Sequence, residues 1–473
     1  MKRYINKRYI ISRGIVLFSV CFFFAGIQGV AQETYLLKEL RIPQVAQENP
    51  GAVIPYDAHV SFPFAGRVQA GGNLPFYLGD LFTISDKMFN KLPKNNTTRG
   101  WVEDDILNFG FRNGKNYFSF ISTFKTDASL TFKKDFLALL VEGNDISKNE
   151  KLTLIGNDFI SLNSYLEFGF GYNREINDKV SFGFNVKYLN GLANAYTTKT
   201  DLTLTTGENY HELILNHSID GKLACIYDIF DVSDVIKDST KNLWDDVIKR
   251  TQLSDFKNHG FSFDLGARYK INDVFELSAA VLDIGFINWK SNAYQYKVAD
   301  KSFTLRGYTS EENIFSDSTK TILDRITAYY KQIGDSLLND FTSEAEQSSS
   351  YIKWLNTRFF VSAAIYASPK DRFNLTFRGI FVNGVFVPSG SVSYTRNVGK
   401  WFDVVVGNTF KQNALLNPGL GVNFTAKVFQ LYVLVDYTNT LAYIDRAKNL
   451  NVVCGINFVA PLKKDSFKAS YIY

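Results

Sequence analysis

The sequence predicts a transmembrane antiparallel β-barrel of about 14 strands with short helical segments in its loops. Three observations predict it. Residues 261–271 alternate strictly, Phe261, Phe263, Leu265, Ala267, Tyr269 and Ile271 against Ser262, Asp264, Gly266, Arg268 and Lys270, the period of a strand with two unlike faces. The same pattern recurs along the chain. A secretory signal precedes it.

That signal occupies residues 1–31. Lys2, Arg3, Lys7, Arg8 and Arg13 form a basic start, an apolar run follows, and Gly29-Val30-Ala31 offers small residues for cleavage before Gln32. The chain has 52 Lys and Arg against 47 Asp and Glu. Residues 1–31 carry five basic and no acidic residues, so 47 of each remain after cleavage. The basic pI therefore reports the signal, and no nucleic-acid partner is expected. After the signal no run of about 18 apolar residues could form a membrane helix. Aromatics are abundant, with 26 Tyr, 42 Phe and 5 Trp. A closed barrel satisfies every backbone group in lipid, so the bacterial outer membrane is the expected location and its lipid the expected surroundings.

In chain order, residues 32–56 alternate poorly and carry Pro43, Pro50 and Pro55. They are expected to be an irregular segment that either enters and plugs the barrel from the periplasmic side or lies in the periplasm as a leader. The barrel proper is expected over 57–460. Residues 58–68 and 73–77 suggest a first hairpin, 79–90 and 98–111 local helices, 116–125 a strand, and Lys134–Glu142 a short helix. Leu166, Phe168, Phe170 and Tyr172 then alternate with polar or small residues, Asn177-Asp178 turns, and Val180 to Tyr188 alternate back. Asn272-Asp273 turns the next hairpin in the same way. Weaker strands are expected near 194–206 and 209–222. Two long interruptions, 231–257 and 310–350, have helical spacing and are placed in outer loops. Seven strands follow between 353 and 460. Residues 461–473 are an extension or the true last strand.

Four stretches resemble a widespread, functionally uncharacterised family of outer-membrane β-barrels from Bacteroidota, itself distantly similar to FadL-like and PorV-like barrels. They are Glu48-Asn49-Pro50-Gly51-Ala52, residues 71–82, residues 174–195 with Lys187-Tyr188-Leu189-Asn190-Gly191, and residues 263–289 with Asp283-Ile284-Gly285. Gly51 stands where that family usually has alanine. The resemblance brings no catalytic residue.

The inward face is expected to hold Glu167, Asn185, Lys187, Asp264, Arg268 and Glu276, either as solute lining or as a stiffening network. About 14 strands enclose more space than wall side chains fill. His211 and His217 lie about 20 Å apart on a strand, too far for one metal, and His217 and Ser218 point to opposite faces. No metal, cofactor or catalytic group is expected, and no enzymatic activity. The expected function is a FadL-like channel or binder for a small hydrophobic solute. The alternative is a structural or docking barrel that partners a surface lipoprotein or secretion machinery.

Overall fold

A computed structural model describes residues 36–77, 92–142, 151–206, 212–226, 256–306, 345–347, 350–382, 385–411, 416–438 and 448–462. The signal, residues 79–90, most of 231–257 and 310–350, and residues 463–473 lie outside them.

Nineteen strand segments form one antiparallel sheet that closes on itself as a barrel of 14 staves. β1 (Tyr56–Ser61) and β2 (Val68–Asn73) make the first stave. β3 (Asn95–Asn113), β4 (Asn116–Lys133), β5 (Lys151–Glu175) and β6 (Val180–Thr206) are the next four. β7 (Glu212–Cys225) with β8 (His259–Lys270), and β9 (Phe275–Trp289) with β10 (Ala293–Arg306), are the sixth and seventh. β11 (Ala345–Gln347), β12 (Tyr351–Trp354) and β13 (Arg358–Tyr366) share the eighth. β14 (Asp371–Val382), β15 (Val385–Val398), β16 (Phe402–Lys411), β17 (Pro418–Ala426), β18 (Phe429–Asp436) and β19 (Asn449–Pro461) complete the wall. β19 pairs with both β1 and β2, so the last stave ends at Pro461 and closes the ring. No helix among the described residues is long and apolar enough to cross a membrane.

Alternation sorts the two faces. Phe263, Leu265, Phe182, Leu431 and Val433 are exposed, while Asp264, Lys187 and Glu167 between such positions are buried. Outward aromatics gather in two belts. One, with Phe111, Phe275, Phe373 and Trp401, adjoins the short turns; the other includes Phe261, Trp354 and Phe386. Phe261 and Tyr269 lie on one strand, about 26 Å apart at strand rise. With barrel tilt this approaches the apolar band of an outer-membrane protein.

Six short turns crowd one end, and three share a design. Asn177 Oδ1 accepts from the amides of Lys179 and Val180, and Asn272 Oδ1 from those of Val274 and Phe275. Ser368 Oγ does the same for Lys370 and Asp371. These side chains mimic a backbone turn. In outer-membrane barrels the short turns face the periplasm.

Three expectations are corrected. Residues 98–111 are strand, within β3. A bulge between Asp105 and Leu107 switches the inward parity there, so neither period holds across the stretch. Residues 58–68 and 73–77 are not a hairpin, because β1 and β2 run the same way between the same neighbours. Ile456 holds the turn between them, accepting from Phe62 N and donating to Ala65 O. Ile226 N donates to Leu192 O and Gly191 N to Asn258 O, so the chain leaves and rejoins the sixth stave at one level of β6. Phe256 packs on the outward rings of Phe168 and Tyr188 there. β6 itself runs unbroken for 27 residues, merging what alternation divided into two strands. Lys134–Glu142 is helical as expected.

Candidate functional site

Residues 36–56 lie against inward-facing wall side chains at the short-turn end. The segment opens with a helical turn at Leu37–Glu39 and has one at Val45–Glu48. Leu36, Leu37, Leu40, Ile42, Val45 and Ile54 are buried together with Tyr117, Val405, Tyr432, Leu434, Val453 and Val459 of the wall. Burying such side chains fully is worth about 1.5–3 kcal/mol each. Polar groups tie the segment around the lumen. Arg41 pairs with Asp403, Arg372 with Glu39 at 2.9 Å, and Arg378 with Glu48 at 3.3 Å. Gln44 Nε2 donates to Asn457 Oδ1 at 2.8 Å and to Gly66 O at 3.0 Å.

Asn49-Pro50-Gly51-Ala52 sits in a seat made for backbone. Asn173 Nδ2 donates to Pro50 O at 2.6 Å and Ala52 O at 3.1 Å, and Ser181 Oγ to Gly51 O at 2.7 Å. The wall positions opposite are glycines. A Cβ on Gly183 would collide with Pro50 O, one on Gly266 with Asn49 Oδ1, and one on Gly51 with the Ala267 backbone at 2.6 Å. A segment resting this close needs residues without side chains on both surfaces. The glycine at 51 therefore has a steric reason.

Lys38 is buried beside this segment's wall contacts, and Nζ donates to Thr376 Oγ1 at 2.5 Å. Burial pushes its pKa down to about 8; Glu39 opposes the shift, while Arg378 and Arg372 add to it.

Above the segment, inward charges converge. Lys187 Nζ lies 2.7 Å from Asp264, 2.9 Å from Asp283 and 3.5 Å from Glu167. Lys125 reaches Glu167 at 2.8 Å, and Arg358 reaches Asp283 at 2.6 Å. Arg67 pairs with Glu103 at 2.7 Å and Asp105 at 3.4 Å. Gln47 of the N-terminal segment donates to Asp105 at 2.7 Å. Arg67 and Arg358, from the first stave and the edge of the eighth, line one void of only about 10 Å³. The layer thus bridges the lumen rather than coating it. Higher again, Tyr165, Leu189, Ile287, Trp289, Tyr351 and Leu355 form a buried apolar layer.

All six sequence-predicted residues are buried. Glu167, Asn185, Lys187 and Asp264 meet in the charged layer, with Asn185 Nδ2 donating to Asp264 Oδ2 at 2.9 Å. Arg268 and Glu276 stand apart, paired at 2.6 Å nearer the turns. Sequence reasoning missed Lys125, Asp283 and Arg358. Asp283 left a signal: an acidic residue that breaks period two before a glycine. It has φ 58, a conformation Asp tolerates, and marks a bulge between Phe263 and Leu265 of the partner strand.

The largest cavity described, about 170 Å³, lies between Lys38–Ala52 and the wall at Phe360, Tyr366 and Arg372. Neither Cys225 nor Cys454 is in a disulfide among the described residues. No cluster of three or more His, Cys, Asp or Glu able to hold a metal occurs among the described residues. His59 bonds Tyr117 OH at 2.5 Å and Asn108 Oδ1 at 2.8 Å.

A closed antiparallel barrel, apolar outside and polar within, defines the class: this is an outer-membrane β-barrel fold. The chain belongs to a family of unknown function (DUF5723), whose model matches residues 50–436. No curated protein matches it. Among solved structures it is similar to the Ralstonia pickettii toluene transporter TbuX, at 9% identity and TM-score 0.43, covering 93% of this chain and 97% of that one. It is also similar to the Pseudomonas putida toluene transporter TodX, at 9% and 0.38, covering 88% and 91%. A Pseudomonas aeruginosa FadL homologue matches at 9% and 0.38, covering 89% and 95%.

Proposed function

We propose that the protein is a gated outer-membrane channel or binder for a small solute with a hydrophobic part, closed by residues 36–56 in the state described. One observation carries this reading. The inner wall keeps an apolar strip at Val405, Tyr432, Leu434, Val453 and Val459, and the N-terminal segment covers it. With that segment displaced, the strip would face the lumen opposite the charged layer. Such a passage suits a molecule with an apolar body. This is the function that a FadL-like kinship would bring.

The test is deletion of residues 35–50 from the full chain. The expected result is a folded barrel with raised single-channel conductance and faster uptake of a hydrophobic dye. A second reading has its own support: the charged layer also bridges the lumen, and a layer that stayed in place would obstruct it after the segment left. If the deletion leaves conductance and uptake unchanged, gating is wrong. A docking barrel for a surface lipoprotein or secretion component then takes precedence.

A further inference from the structure

The six short turns carry more than geometry. They comprise residues 114–115, 176–179, 271–274, 367–370, 399–401 and 427–428, and Lys115, Lys179, Lys370, Lys400 and Lys427 lie in five of them. The sixth is flanked by Lys270, which pairs with Asp273 at 2.7 Å. Lysine makes up five of these 19 turn residues, whereas Lys and Arg together are 52 of the chain's 473. Asp178 and Asp273 are the only acidic residues in the turns, so the rim is basic although the chain beyond residue 31 is balanced. All five turn lysines are exposed.

Position gives the charge a target. The lysines follow or flank the lower aromatic belt: Lys115 is near Phe111, Lys400 adjoins Trp401, and Lys427 precedes Phe429. Aromatics settle at the headgroup level of a bilayer, and the long lysine stem lets its ammonium reach the phosphates just beyond. The exposed lysines stand in five of the six short turns distributed round this end of the barrel.

We propose that this lysine collar recognises anionic phospholipid headgroups in the leaflet facing the short turns, so that the barrel selects its own annular lipid there. Each lysine near such a surface favours the anionic lipid by about fivefold locally. The recognition is electrostatic and weakens with salt.

The test uses the full chain in vesicles of mixed phosphatidylcholine and phosphatidylglycerol, with one or the other brominated. Trp401 is exposed beside Lys400 and is quenched by neighbouring brominated chains. Its share of the signal is the difference from Trp401→Phe. Brominated phosphatidylglycerol should quench Trp401 with an apparent preference of about fivefold over phosphatidylcholine at low salt. The preference should fall towards one at about 0.5 M salt. In K115Q/K179Q/K370Q/K400Q/K427Q it should be lost at low salt, with heat-modifiable gel migration showing that the variant still folds. Equal quenching by the two lipids in the wild-type chain overturns the proposal. So does a preference that survives in the folded variant. Should the variant not fold, the salt series on the wild-type chain decides: a preference indifferent to salt also overturns it.

Discussion

The two arcs of the barrel fill the same lumen by opposite means. From β3 round to β13 the inner wall turns charged residues inward, and they satisfy one another: Lys125, Lys187 and Arg358 against Glu167, Asp264 and Asp283. From β16 through β19 much of the inner wall is apolar at the level of the N-terminal segment, which covers it with Leu36, Leu37, Leu40, Ile42 and Ile54. In its charges the first arc is self-sufficient, although its β5, β6 and β8 also seat Asn49–Ala52. The second depends on a separate piece of chain. A wall that satisfies itself can seal the lumen permanently, whereas a wall covered by a removable segment can be uncovered. That difference underlies the gating reading, and it can be tested from either side.

The harshest test removes an anion from the charged arc. Asp283 receives Lys187 and Arg358, so Asp283→Ala leaves two buried cations without their shared partner. Breaking a buried ion network this way costs about 3–5 kcal/mol. The heat-modification midpoint of the folded barrel should fall accordingly. A midpoint within a degree of wild type would mean that water already screens this layer and that the arc is not self-sufficient.

A milder change addresses the segment's seat, which lies on β6 and β8 of the first arc. Gly183→Val fills the seat of Pro50, whose carbonyl a Cβ there would strike. Overpacking of this kind costs about 1–3 kcal/mol. Because the seat belongs to the interface with the segment, the cost should appear as undocking rather than barrel unfolding. Protease cleavage between residues 36 and 56 should accelerate while the barrel's heat-modified band stays put. Loss of the barrel itself would show that segment and wall form one cooperative unit.

The sequence revealed these arcs unequally. Period two exposed the lipid face and three charges of the layer, Glu167, Lys187 and Asp264, because an inward Glu167 or Asp264 must alternate with an outward apolar neighbour. It failed wherever parity slipped. The bulge at Asp105 disguised β3 as a helix, and the positive-φ Asp283 hid the network's central anion. Residues 69–72, expected to turn between the arms of a first hairpin, are strand within β2 and pair with β19 and β3. The covered strip was harder still. Val405 and Leu434 look like any strand residues, and only the fold shows that they face inward, against leucines nearly 400 residues away in sequence.

The smallest expected effect concerns pH and acts on the segment alone. Lys38 has an ordinary pKa near 10.5, lowered to about 8 when the segment is docked, chiefly by burial. Its docked pKa is below its free one, so between about pH 8 and 10.5 the undocked segment holds more protons. Docking therefore strengthens as pH rises through that window, and below it the full penalty of burying the ammonium applies. Glu39 stands 3.5 Å from Lys38, and Arg372 and Arg378 also act on it. Between pH 7.5 and 9.5 the slope is assigned to Lys38. Labelling of a cysteine introduced at residue 43 should slow as pH rises across that range, once corrected for the reagent's own pH dependence. Lys38→Met, which keeps the stem and removes the charge, should dock more tightly at pH 7.5 and show no slope. If the slope persists in Lys38→Met, another group governs docking; if it reverses, the ammonium stabilises the docked segment, and the burial cost assigned to it is wrong.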